Sequence, residues 1–197
     1  MKAALPCIAC LLAAACTASK PPERFHTLLP AARAASAPAA SAVFVDVQPV
    51  GVPPQVDHAQ WVVRQGDDSL LLLEQDRWAA PLADELRGAI SERLAAQWGA
   101  VDIRGVALPQ PSVWRVRVDV QRFESIPGRE ARIESVWSVS GTQRGASTLV
   151  CRSTRVEAVS GGDVSALAAA HRRAVTALAD EIGRRLQAMQ AGQVGGC

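Results

Sequence analysis

Val43, Val45 and Val47 alternate with Phe44, Asp46 and Gln48, the period of two that a half-buried strand imposes, and Pro49, Pro53 and Pro54 close the run. Residues 61–64 and 70–74 flank the turn-rich stretch Gln65-Gly66-Asp67-Asp68-Ser69, which predicts a hairpin; the unbroken leucines from 70 to 73 leave its register open. Pro81 stands where a helix tolerates a missing N–H, and Gly99 stands where a helix ends. Between them Leu82, Leu86, Ile90, Leu94 and Trp98 recur every four residues. Each such step drifts by about 40°, so this stripe suits a helix laid broadly over a sheet. Gly88 inside it costs about 1 kcal/mol relative to Ala and points to close packing.

Three more runs keep the strand period. Trp114, Val116, Val118 and Val120 alternate with Arg115, Arg117, Asp119 and Gln121; Ile133, Ser135, Trp137 and Val139 alternate with Arg132, Glu134, Val136 and Ser138; Val150, Thr154 and Val156 lie in the third. With Pro127-Gly128 at the first turn and residues 141–145 at the second, they predict an antiparallel meander with one buried face. After Gly161-Gly162, Asp163 is placed to cap a long helix. Val164, Leu167, His171, Val175, Leu178, Ile182 and Met189 share its apolar stripe, with Leu186 beside it. The order strand, hairpin, helix, three-strand meander, helix predicts an α+β fold: a two-layer domain with a mixed, largely antiparallel sheet and both helices on one face.

The first 42 residues follow other rules. Lys2 precedes an apolar run over residues 3–15, interrupted by Pro6, which is short of the roughly 20 residues of a spanning helix and reads as a secretory signal. Its end, Leu12-Ala13-Ala14-Ala15-Cys16, resembles the lipobox of bacterial lipoproteins, with Ala13 where Leu is usual. That resemblance implies cleavage after Ala15 and an N-acyl diacylglycerol, palmitate chains included, on Cys16. Two or three such chains hold a protein to a bilayer durably. An ordinary signal peptide cut near Ala15 is the plainer alternative. Cys7 and Cys10 fall inside the discarded run and carry no redox motif.

Residues 17–24 are polar and contain Pro21-Pro22, and residues 31–42 are an Ala/Ser/Pro stretch, so both read as tether. Between them Phe25-His26-Thr27-Leu28-Leu29-Pro30 is an apolar patch that a linker does not need and that is expected to dock on the domain. The expected divisions are a signal peptide (1–15), a lipidated tether with a docking motif (16–42), one α+β domain (43–190) and a flexible tail (191–197).

Of 197 residues, 49% are apolar and 20% charged, enough to bury a core and set aside a disordered chain. Lys and Arg number 21 against 19 Asp and Glu, interspersed, so there is no nucleic-acid footprint. Export permits a bridge between Cys151 and Cys197. Joining a strand to a Gly-rich tail closes little structure, and the expectation is a buried free Cys151 and an untethered Cys197.

Motif chemistry is sparse. There is no Gly-x-Ser-x-Gly, phosphate loop, His-Glu-x-x-His or Cys/His cluster at zinc spacing. His26, His58 and His171 are isolated, and His171, on an apolar stripe, is expected as a packed neutral imidazole. Asp67-Asp68, Asp84-Glu85 and Asp180-Glu181 are expected as solvated charge, because adjacent carboxylates do not face each other on a helix or strand. Among the tryptophans, Trp78, Trp98, Trp114 and Trp137 fall on core positions or element ends, whereas Trp61, near Pro53-Pro54, is the candidate for surface recognition. The chain reads as a non-enzyme without metal or cofactor. A hydrolase assembled from Asp57, His58 and Ser69, or a carrier holding one lipid in its own cavity, is the competing class.

Residues 50–54, 57–64 and 76–82 carry the most specific likeness. With Pro53, Trp61, Arg64 and the run Arg77-Trp78-Ala79-Ala80-Pro81-Leu82, the chain resembles the auxiliary lipoproteins of Gram-negative MCE-type ABC transport systems. Phe25 through Pro30 is similar to that family's aromatic-x-Leu-Pro opening motif, with Phe for Tyr and one extra residue. The resemblance implies a periplasm-facing protein anchored in the outer membrane through Cys16, with Thr17 rather than Asp after it. It would dock the tunnel of an inner-membrane-anchored MCE-domain protein, so that lipid passes between membranes. A tubular partner invites a homo-oligomeric ring of copies around it.

Overall fold

In the computed structural model the described residues are 21–31, 43–104, 106, 112–193 and 196–197. Ala15 and Cys16 lie outside them. In chain order the elements are β1 (Arg24–His26), β2 (Val43–Val47), β3 (Gln60–Gln65), β4 (Ser69–Trp78), α1 (Leu82–Trp98), β5 (Ala100–Asp102), β6 (Val113–Ile126), β7 (Glu130–Gly141), β8 (Thr148–Ala158) and α2 (Val164–Gln190).

The helix boundaries follow from local chemistry. The Pro81 carbonyl accepts the Asp84 and Glu85 N–H groups, and Gly99 closes α1 in the left-handed region at φ 63°, which a side chain would resist. At α2 the Asp163 carboxylate accepts the Ala166 N–H at 2.7 Å. Every member of the predicted α2 stripe is buried except Met189, which is half-buried.

β6, β7 and β8 form the expected meander, antiparallel throughout, and β2 lies parallel to β6. β5, which no periodicity announced, pairs parallel to the other edge of β2, giving a five-stranded sheet ordered β5-β2-β6-β7-β8. The α+β class and the two helices stand as expected; the single sheet does not. Both edges of β2 and of β6 are occupied, so the β3–β4 hairpin has no place beside them. It forms a second sheet, ordered β1-β4-β3, in which β1 runs parallel to β4. The hairpin register jumps between Gln60, opposite Arg77, and Trp61, opposite Leu73, so β4 carries extra residues and bends there.

The main core lies between the five-stranded sheet and the helices, with Val45, Val47, Val116, Ile133, Trp137, Leu86, Ile90, Leu167 and Leu178 at its centre. α2 crosses β7 and β8 and packs along α1. Gly183 is what lets the helices approach: a Cβ there would come within 2.2 Å of the Trp98 Nε1. No described helix is long and apolar enough to cross a membrane.

Two expectations are corrected at the chain's end. Cys151 and Cys197 are bonded to each other, with Cα atoms 5.6 Å apart, and the last residue is therefore not an untethered tail. The reason is topological: α2 carries the chain back across β8, where the Cys151 side chain is buried. Far from closing little structure, the bond spans 46 residues and encloses all of α2.

A link of that span stabilises by about 2–4 kcal/mol, chiefly by restricting the unfolded chain. Cys197→Ser is expected to lower the thermal midpoint, and dithiothreitol is expected to lower that of the parent to match while leaving the variant unmoved. Melting curves followed by circular dichroism, with and without reductant, decide it.

Candidate functional site

A set of polar and aromatic side chains converges where the N-terminal segment meets both sheets and both helices. Asp76, on β4, is 4% exposed, and a carboxylate so placed requires partners. Arg24, on the neighbouring β1, supplies two hydrogen bonds, from Nε at 2.9 Å and Nη2 at 2.6 Å. His26, two residues on, donates Nε2–H to the same carboxylate at 2.7 Å. Burial works against ionisation of Asp76, but the bonds from Arg24 and His26 outweigh it and hold the carboxyl below the ordinary carboxylate range.

His26 leads into an aromatic stack. Its ring stands edge-on to Trp61 at 5.4 Å; Trp61 stacks on Trp78 at 3.8 Å; Trp78 meets the Phe123 ring edge-on at 6.0 Å; and Phe123 lies flat against His171 at 3.9 Å. The circuit closes through Ser125, whose Oγ accepts the Trp61 indole N–H at 3.1 Å and lies 2.9 Å from His171 Nε2. Trp61 is fully buried, so the expectation that it recognises a partner at the surface is corrected. Its nearness to Pro53-Pro54 suggests the surface, but Trp61, Val62 and Val63 are all buried, so β3 is covered on both faces here.

The segment after β1 is held as firmly. Glu85 in the first turns of α1 is 2% exposed and its Oε2 accepts both the Thr27 hydroxyl at 2.7 Å and the Leu28 N–H at 2.8 Å. Leu28 is itself buried, Leu29 lies against Gly88, where a Cβ would come within 3.0 Å of its Cδ2, and Arg172 of α2 donates to the Thr27 carbonyl. The close packing expected at Gly88 is thus with residue 29. Glu85 was expected as solvated charge. It lies three residues after Leu82 and one before Leu86, which places it on the buried stripe. Asp180 and Glu181 are likewise engaged, Asp180 by Arg93 at 2.7 Å and Glu181 by the Ser153 hydroxyl at 2.6 Å and by Arg155.

The remaining singled-out residues divide by position. Trp78 and Leu82 are buried. Pro81 caps α1, and Pro53, half-buried, opens the short turn Pro54–Val56. Arg64 bridges to Glu124 at 2.7 Å and Arg77 to Glu23 at 2.9 Å. Phe25 is 63% exposed and Pro30 is exposed, so they decorate the seat without forming it. Arg24, His26, Asp76, Glu85 and Ser125 escaped sequence reading. The available signal was the pairing of Arg24-x-His26 with Asp76-x-Trp78, legible once a parallel register is known.

Chemically the site clamps. Ser125 and His171 approach as a nucleophile and base would, but both are sealed, at 2% and 0% exposure, and His171 Nδ1 has no partner to orient the ring. The expectation of a packed neutral histidine holds: burial pushes its pKa down to about 3. Asp57 and His58 lie in the loop before β3 and Ser69 hydrogen-bonds the Gln65 carbonyl across the hairpin turn, so no hydrogen bond joins the three. No group of three His, Cys, Asp or Glu among the described residues is arranged to hold a metal.

Fold and site together define a small α+β domain built around a docked N-terminal strand. The chain belongs to the ABC-type transport auxiliary lipoprotein component family, whose model matches residues 26–183. Two solved structures share the fold. An uncharacterized protein superposes with a TM-score of 0.67 at 14% identity, covering 84% of this chain and 99% of its own. A Xanthomonas campestris protein of the DUF330 family superposes with a TM-score of 0.58 at 19% identity, covering 86% of this chain and 97% of its own. No curated protein matches the sequence.

Trp78→Ala is expected to cost about 3–5 kcal/mol, because the indole is nearly fully buried and two aromatic neighbours lose their contact. Urea unfolding followed by circular dichroism measures it. The His171 linkage has a defined sign: its folded pKa lies near 3, below the ordinary 6.5, so the unfolded chain takes up a proton that the folded chain refuses. Stability is expected to fall by about 1.4 kcal/mol per pH unit below roughly pH 6 on this account, and to be unaffected above it. His171→Phe should flatten that acid slope, as read by unfolding free energies from pH 7 to about pH 4.

Proposed function

We propose that the chain is an outer-membrane lipoprotein, moored by acylated Cys16, whose periplasmic domain docks the tunnel of an MCE-type ABC lipid transport system. Membership in a transport auxiliary lipoprotein family supports the transport setting. Thr17 after the acylated residue favours the outer membrane. The observation that carries the reading is the seat of β1. Arg24 follows Cys16 by only eight residues, at most about 29 Å of extended chain, and it is bonded into the fold. An anchor so close to a clamped strand holds the whole domain near the leaflet, as a docking collar requires and a freely diffusing enzyme does not.

The protein then acts by position and shape, without turnover. Hydrocarbon exposed to water costs about 25 cal/mol per Å², so a conduit that joins a tunnel to a membrane without a gap removes that cost for each lipid carried. A ring of copies around the tunnel mouth is the arrangement that suits a tubular partner.

Cys16→Ser is expected to leave the membrane fraction for the soluble periplasmic one; recovery of the variant in the outer membrane would reject the anchor. Cross-linked envelope complexes isolated on this protein are expected to contain an MCE-domain protein. Isolates that hold none, with the bait intact and acylated, would reject the partner.

A further inference from the structure

Eight large apolar side chains are exposed among the described residues, and four of them sit on the three-stranded sheet: Phe25, at 63%, and Leu70, Leu71 and Leu72, at 41% each. Three consecutive exposed leucines on a strand place apolar groups on both faces at once, which neither a core nor a solvated surface calls for. The same stretch has an open edge. β3 pairs with β4 along residues 69–73, but β1 covers the other side only from Asp76 to Trp78.

The direction of the chain says what lies beyond that edge. Because β1 is parallel to β4 and Arg24 lies opposite Asp76, the chain before Arg24 enters from the side of Gln75 and the leucines; the Glu23 side chain bonds Arg77, opposite Phe25. Pro21 and Pro22 have no N–H to donate and leave the β4 edge open there. From Pro21 to Cys16 is five residues, so the acylated end lies within about 18 Å of Pro21, whatever path those residues take. An anchor at Cys16 therefore brings the bilayer within reach of the end of the domain that carries the leucines.

We propose that the β3–β4 hairpin is a membrane-contacting element, with Leu70, Leu71 and Leu72 resting at the boundary of headgroups and acyl chains in the leaflet that holds the Cys16 lipid. The hairpin tip fits a shallow contact. Asp67 and Asp68 stay in the headgroup layer, and Arg64, which donates to the Asp67 carbonyl, holds the turn. The lipid anchor supplies attachment and the leucines supply orientation, fixing which face of the domain turns toward a partner in the periplasm.

This inference rests on the Cys16 anchor, so the test reads both. The full acylated protein is bound to vesicles of phosphatidylethanolamine with a minority of phosphatidylglycerol. An environment-sensitive fluorophore is placed on Leu71→Cys, on Leu72→Cys as a second position, or on Val156→Cys, exposed on β8 of the other sheet. The hairpin labels are expected to shift to the blue on vesicles and to be quenched by brominated acyl chains several-fold more than the label at 156. Hairpin labels as open to aqueous iodide as the one at 156, in protein that floats with the vesicles, would overturn the inference and leave the anchor standing. Shielding that arises only on adding an MCE-domain protein would overturn it in favour of a partner strand on the open β4 edge. Protein that fails to float overturns the anchor, and the membrane contact with it.

Discussion

One buried carboxylate organises the junction on which this molecule depends. Asp76 sits in the interior of a small sheet, and a charge so placed is tolerable only while Arg24 and His26 are bonded to it. Both partners come from a strand of three residues, too short to persist alone. The cost of leaving Asp76 unpaired is thus what fastens the N-terminal strand, and the tryptophan stack that His26 abuts packs correctly only with that strand in place. Glu85 repeats the logic one step along the chain, where a buried carboxylate takes the Leu28 N–H and the Thr27 hydroxyl that would otherwise lack partners.

The same device joins the layers elsewhere. Glu181 on α2 accepts from Ser153 on β8, and that hydroxyl accepts the Trp137 indole N–H from β7 at 2.8 Å, so a polar thread runs from helix to strand to strand through an apolar interior. Arg93 and Asp180 tie the two helices with a paired set of bonds. The aliphatic core supplies the bulk of the folding free energy, since it excludes far more area than these contacts do. The polar pairs fix which helix face meets which strand, because a slip by one residue would strand a buried charge. The disulfide adds the last constraint by returning the chain's end to β8.

Most of the fold was legible in the sequence, and the reason is periodicity. The meander and α2 are long, one face of each is buried, and alternation or the 3.6 repeat declares them. The docking of residues 25–30 was also legible, as apolar side chains without use in a linker. Short parallel pairings were not. β1 and β5 have three residues each, too few to show a period, and their partners lie 52 and 57 positions away in the registers that pair Arg24 with Asp76 and Val43 with Ala100. Without β1 the buried role of Asp76 has no signal, and the nearness of Trp61 to Pro53-Pro54 points to the surface although the side chain is buried. Glu85 is obscured for a different reason: it stands beside Asp84 as if in a solvated pair, while its place between Leu82 and Leu86 puts it on the buried face. The bridge to Cys197 was hidden because it depends on where a long helix ends, which pattern alone does not fix in space.

A tether and a clamp solve different parts of one mechanical problem. Acyl chains keep a protein at a leaflet but leave it free to spin and tilt, and a long flexible linker would leave it free to wander as well. The Ala/Ser/Pro stretch of residues 31–42 comes after β1 in the sequence, not between Cys16 and that strand. The strand is bonded to β4 before that stretch begins, so the low-complexity segment links two parts of one folded body. With the proposed anchor at Cys16, only seven residues lie between the acylated position and Arg24, so no long linker separates them. If the proposed anchor holds, short linkage of this kind raises the effective concentration of the domain at the leaflet and narrows its range of orientations. A component that docks a partner from a membrane anchor, as proposed, requires both, and the pairing of Arg24 and His26 with Asp76 supplies the fixed end.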